Sequence, residues 1–130
     1  MFNMKYICQP SPELALYWQT QGSSFGLNGY LHLQRVLFAY ASTATVTLTV
    51  TVDGRSYSYT LPSTAGAYAK SEVIFNSLMK GLVFSFYASS ANPFAVWDQD
   101  LEIMGREWGY DGPYRRLKVI GSTMGNEAKV

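Results

Sequence analysis

A single cysteine, Cys8, and a single histidine, His32, in 130 residues leave little material for metal or redox chemistry. One thiol excludes an internal disulfide and any multi-cysteine metal site, so Cys8 reads as a small buried hydrophobe or a bystander. The chain also lacks an excess of either charge. Ten Lys and Arg stand against nine Asp and Glu, and this balance creates no field that would gather nucleic acid or an acidic membrane surface. Long apolar runs are missing too. No window approaches the roughly 20 apolar residues of a membrane span, and Met1 to Tyr6 carries one lysine without a signal-peptide core. The expectations are no nucleic acid, no membrane span and no export signal.

What the chain has is apolar and aromatic. Hydrophobic residues make up 48%, including ten Tyr and three Trp, which fills a core and leaves rings over for a surface. A chain of this length reads as one domain, residues 1–121, followed by a polar tail at 122–130 that is expected to move unless a neighbour holds it.

The strongest local pattern runs from Ala44 to Leu61. Val46, Leu48, Val50 and Val52 alternate with Thr45, Thr47, Thr49 and Thr51 up to Asp53-Gly54. Asp-Gly supplies the two positive φ angles of a type I′ turn, so a hairpin is predicted in which Val50 faces Tyr57, Leu48 faces Tyr59 and Val46 faces Leu61. On the other face Thr51 meets Ser56, Thr49 meets Ser58 and Thr47 meets Thr60. That face has short hydroxyl side chains and no charge, which suits water or a closely packed neighbour.

Leu31 to Ala41 predicts a second strand, with a bulge at Gln34-Arg35 that restores the phase between Leu31/Leu33 and Phe38/Tyr40. Val73 to Ser77 and Leu82 to Ala88 predict two more, turning at Lys80-Gly81. A rival reading makes Ser71 a helix N-cap and ends that helix at Gly81. Asp100 to Trp108 and Arg115 to Ile120 alternate as half-buried strands, the latter with Leu117 and Val119 inward. Leu14 to Thr20 fits a strand with Leu14, Leu16 and Trp18 inward, or a short helix opened by Ser11-Pro12. The class is therefore all-β, a sandwich-like fold or open barrel of about six to eight short strands with at most one short helix.

Catalytic and metal signatures are thin. His32, between inward Leu31 and Leu33, points outward, and a metal site or a triad would have to be built around that one imidazole. Asp98, Asp100 and Glu102 would align on one strand face, yet they lack the glycine and bidentate acid of a calcium loop and read as a solvated face. Gly22 to Gly29 has no following Lys-Ser/Thr and reads as a loop. No catalytic residue, metal or cofactor is expected. Arg115-Arg116 and Lys118 follow Tyr110 and Tyr114 as a small basic and aromatic cluster, best read as a strand face meeting another subunit. Trp97, Trp108, Tyr110 and Tyr114 carry the most functional weight, because such rings serve both as interface anchors and as sugar-stacking platforms. At least one of Trp97 and Trp108 is expected in the core.

Trp108-Gly109-Tyr110-Asp111-Gly112-Pro113-Tyr114, running into Arg115-Arg116-Leu117-Lys118-Val119-Ile120-Gly121, resembles the closing segment of small β-domains in structural proteins of tailed bacteriophages, those of tail, neck or nozzle components. The hairpin, Met79-Lys80-Gly81 before Leu82-Val83-Phe84, and the Asn92-Pro93-Phe94 loop fit the same pattern, so the resemblance spans Ala44 to Gly121. It implies a non-enzymatic virion component, assembled in the host cytoplasm, present in several copies as a homo-oligomer and ordered by other virion proteins. The contact residues expected are Trp97, Trp108, Tyr110, Tyr114, Arg115, Thr47, Thr49 and Thr51. The alternative is a carbohydrate-binding or host-attachment module, in which Trp97, Trp108 or Tyr110 stacks on a host glycan beside Asp98, Asp111 or Asn92.

Overall fold

The alternation of Val and Leu with Thr gives what period-two patterning dictates. In the computed structural model, which describes residues 14–20, 30–76, 79–107, 114–117 and 123–125, ten strands form. They are β1 (Ala15–Gln19), β2 (Leu31–Ser42), β3 (Val46–Val52), β4 (Arg55–Leu61), β5 (Ala69–Ile74), β6 (Lys80–Gly81), β7 (Phe84–Val96), β8 (Glu102–Glu107), β9 (Arg115–Leu117) and β10 (Thr123–Gly125). All pairings are antiparallel. The chain is all-β, as expected.

Asp53 at φ 50° and Gly54 at φ 87° make the β3–β4 turn. The register is the predicted one, Val50 with Tyr57, Leu48 with Tyr59 and Val46 with Leu61. Val46, Leu48, Val50 and Val52 are fully buried, and burial of such side chains stabilises by about 1.5–3 kcal/mol each. In β2 the predicted bulge is present. Leu33 pairs with Gly105 but Arg35 with Met104, so Gln34 is the extra residue. That one-residue slip keeps Leu31, Leu33, Val36, Phe38 and Tyr40 all on the buried side.

Two halves of the sheet face each other across this core. In one, β3 lies between β4 and the first part of β7, and β1 joins β7 to β10. In the other, β2 carries β5 and β6 along one edge and β8 along the opposite one, with β9 beyond β8. β7 belongs to both. Its first part, Phe84 to Ser90, pairs with β3, and its end, Phe94 to Val96, pairs with β2. Trp18 of β1 meets Phe38 of β2 edge-on at 5.4 Å, and Tyr59 of β4 meets Phe75 at 5.5 Å, so side chains of the two halves interlock.

Several boundaries differ from the sequence reading. The expected strand from Val73 starts earlier, at Ala69, and Ser71 lies within it, so no helix opens there. Lys80-Gly81 is not a free turn but pairs with Leu31 and His32. The segment after it is strapped to the hairpin tip, because the Asp53 carboxylate accepts the N–H groups of Leu82 (3.0 Å) and Val83 (2.9 Å). Those two donors hold the Asp53 carboxyl below its ordinary pKa. Asn92-Pro93-Phe94 is not a loop; it lies in β7, where Ala15 pairs with Phe94 but Tyr17 with Ser89, so the chain bulges between them and proline is tolerated.

β1 is a strand, yet Leu14 is 62% exposed, while Ala15 and Trp18, three apart, are both buried. The same irregularity between Ala15 and Tyr17 breaks the expected Leu14-Leu16-Trp18 alternation. Asp98 to Asp100 form a 3-10 turn, so the three carboxylates do not line one strand face. Of the predicted closing strand, Arg115 to Leu117 pairs with β8 and Leu117 is buried; Lys118 to Ile120 lie outside the described residues. Within the polar tail, Thr123 to Gly125 pairs with β1. Ser11-Pro12, Cys8 and Gly22 to Gly29 also lie outside the described residues. No helix among the described residues is long and apolar enough to cross a membrane.

Candidate interaction surface

Alternation on β3 puts Thr47, Thr49 and Thr51 opposite to the buried valines, and the registers extend that outer face across four strands. Three rows result: Ser56, Thr51 and Ser85; Ser58, Thr49, Tyr87 and Gln19; Thr60, Thr47, Ser89 and Tyr17. None of these side chains is charged. Strands lie about 4.8 Å apart and alternate residues about 6.8 Å apart, so the rows span roughly 14 by 14 Å between outermost Cα atoms. Oγ atoms pair across β3 and β4, Thr51 with Ser56 at 2.9 Å and Thr49 with Ser58 at 3.2 Å. Tyr17 and Tyr87 stack at 6.1 Å with 17° between their planes. Hydroxyls already bonded to each other lose less on leaving water than unpaired polar groups do.

The outer face of the opposite half is its internal control. There Arg35 pairs with Glu72 at 2.6 Å and Lys70 with Glu102 at 3.2 Å, and Arg106 and Arg116 follow on neighbouring strands. The outer face of β2, β5 and β8 therefore carries charged side chains, and the Thr/Ser face carries none in its three rows.

Of the expected contact residues, Trp97 and Tyr114 sit elsewhere and apart from this face. Trp97 is half-buried, its backbone N–H donating to the Ala39 carbonyl at 3.0 Å, and its ring meets Tyr68 edge-on at 4.8 Å. The Tyr68 hydroxyl donates to Asp100 Oδ2 at 2.8 Å. Partial burial, that hydrogen bond and the Asp100 and Glu102 charges push the Tyr68 phenol up to about 12. Tyr68 remains 47% exposed.

Tyr114 is half-buried and engaged inside the fold. Its hydroxyl lies 2.7 Å from His32 Nδ1, and the Arg106 guanidinium stacks 4.4 Å from its ring centre. Thus His32 lies on the outer side of β2, as expected, and its ring is held by Tyr114. Asn92 Nδ2 donates to Thr43 Oγ1 at 3.1 Å. Trp108, Tyr110, Asp111 and the side chains of Arg115 and Asp98 lie outside the described residues. Among the described residues no three His, Cys, Asp or Glu side chains gather as a group that could hold a metal.

Comparison with protein-family models, curated proteins and solved structures finds no match. The geometry itself therefore carries the functional reading. Only Thr47, Thr49 and Thr51 of the uncharged face are among the expected contact residues; β7 and β1 add Ser85, Tyr87, Ser89, Tyr17 and Gln19, β4 adds Ser56, Ser58 and Thr60, and Tyr68 is a further residue outside the expected set. For Ser85, Tyr87 and Ser89 the signal was present in sequence, as alternation with Phe84, Phe86 and Ala88. What the alternation did not reveal was that this strand pairs with β3 and so enlarges the threonine face.

Proposed function

We propose that this chain is a non-enzymatic structural subunit that works by burying its uncharged Thr/Ser/Tyr sheet face against neighbouring proteins. The observation that carries the reading is the contrast between the two outer faces, one laced with ion pairs and one without a single charged side chain in three rows. A standard contact buries about 800 Å² per partner, for which the rows supply the centre and the surrounding loops the rim. Together with the resemblance of the Trp108 to Gly121 segment to small tail, neck and nozzle domains of tailed bacteriophages, this supports a virion component held by other virion proteins.

Thr49, at the centre of the middle row, gives the test. Thr49→Lys places an ammonium where a partner must dehydrate it, while leaving the buried face of β3 intact. The variant should keep a wild-type circular dichroism spectrum and melting temperature yet fail to co-assemble with its neighbours in a reconstitution assay. Normal co-assembly would remove this face from the contact.

A second reading rests on Tyr68, whose exposed ring lies against Trp97 and beside the Asp100 carboxylate. An aromatic face next to a hydrogen-bond acceptor is the chemistry of sugar stacking. On a glycan array the protein would then give a specific signal that Tyr68→Ala abolishes; an array without signal leaves assembly as the function.

A further inference from the structure

Among the described residues the backbone of β4 pairs only with β3, which makes β4 an edge of the sheet. Edges that stay single are defended by charge, proline, a bulge or short length. β4 has none of these defences in its middle. It is seven residues long, its register against β3 runs without interruption, and Ser56 to Thr60 holds neither charge nor proline. Arg55 stands only at the tip, where its guanidinium bonds the Lys80 carbonyl at 3.0 Å.

The hairpin geometry also says which backbone groups point away from β3. In a two-residue hairpin the residues flanking the turn, Val52 and Arg55, form a hydrogen-bonded pair, and such pairs then recur at every second residue. Arg55, Tyr57, Tyr59 and Leu61 therefore turn their N–H and C=O groups toward β3. Ser56, Ser58 and Thr60 turn theirs away from β3, to an edge that no other described strand pairs with.

The sequence along that edge reads nearly the same in both directions about its centre: Ser56, Tyr57, Ser58, Tyr59, Thr60. We propose that a second copy of this chain pairs with it there, antiparallel, on a two-fold axis at Ser58. Ser58 then faces its own counterpart, Ser56 faces Thr60, and Tyr57 faces Tyr59. About six N–H···O bonds form across the axis, and like side chains meet at each position. Such pairing also joins the two uncharged faces into one continuous surface of twice the width. The inference goes beyond the face contact proposed above, because it uses the strand edge and stands if that face proves to be solvated.

A charge swap at Ser58 tests it, since only a residue on the axis meets itself. Sedimentation velocity should show a dimer for the wild type, monomers for Ser58→Lys and for Ser58→Glu, and a dimer again when these two variants are mixed. Circular dichroism of each variant checks that the fold is kept. Ser58→Pro, which removes an edge-directed N–H without touching the β3 ladder, should also be monomeric. A wild-type monomer overturns the proposal, as does a Ser58→Lys protein that remains dimeric; a mixture that stays monomeric likewise shows that Ser58 does not face its counterpart.

Discussion

Trp18→Ala lowers the stability of the domain by about 3–5 kcal/mol, the range for removing a buried tryptophan from a packed core. Trp18 is 1% exposed, packs edge-on to Phe38 at 5.4 Å and pairs through its backbone with Ala88 and Met124. It is thus held by one half of the sheet and fills space belonging to the other. Domains of this kind are stable by about 5–15 kcal/mol in total, so the loss is a large share of it. Urea unfolding should show a much lower midpoint with an unchanged slope. A loss under about 1 kcal/mol would mean that Trp18 does not tie the two halves together.

Gly81→Ala should lower stability by about 1–3 kcal/mol, although it adds only a methyl group. A Cβ at Gly81 would overlap the Val52 side chain and lie 2.5 Å from Asp53 Oδ2. Val52 is fully buried and has no room to retreat. The Asp53 carboxylate is held in turn by the Leu82 and Val83 amides, so the added carbon drives the strap away from the hairpin tip. Hydrogen exchange at those two amides should speed up more than exchange in the middle of β3. Uniform acceleration would place the strain in the whole sheet instead.

The part of this fold that is legible in the sequence is the part set by nearest neighbours. The β3–β4 hairpin follows from strict alternation and from one dipeptide that fixes its own turn, so register and faces come together. The β2 bulge was legible for the same reason: Gln34-Arg35 interrupts a phase that Phe38 and Tyr40 resume. Pairings between distant segments were not. That β7 runs through Asn92-Pro93 depends on its having different partners on either side of that point. Leu14 is exposed because the register breaks in β1, and no local pattern marks the break.

The candidate surface divides along the same line. Thr47, Thr49 and Thr51 stood out as an uncharged row from sequence alone, but the width of the face depends on β7 and β1 lying next to β3. The resemblance of the closing segment points to the aromatic residues there. Of these, Tyr114 is committed to His32 and Arg106 within the fold. Tyr68 carries no local signal, because its partners, Trp97 and Asp100, lie some 30 residues further along the chain.

The place of β1 has a kinetic consequence. It is laid between β7 and β10, so residues 15–19 find both partners only after segments about 70 and 105 residues downstream have been brought alongside. Closing such long stretches of chain comes at an entropic cost before any contact rewards it, which places folding in the slow, millisecond-to-second range of all-β domains. Until then Trp18 has no cavity to enter, and the apolar side of β3 is open to other chains. Exposure to aggregation is then greatest during synthesis, because β1 precedes every other described strand along the chain and is among the last of them to dock.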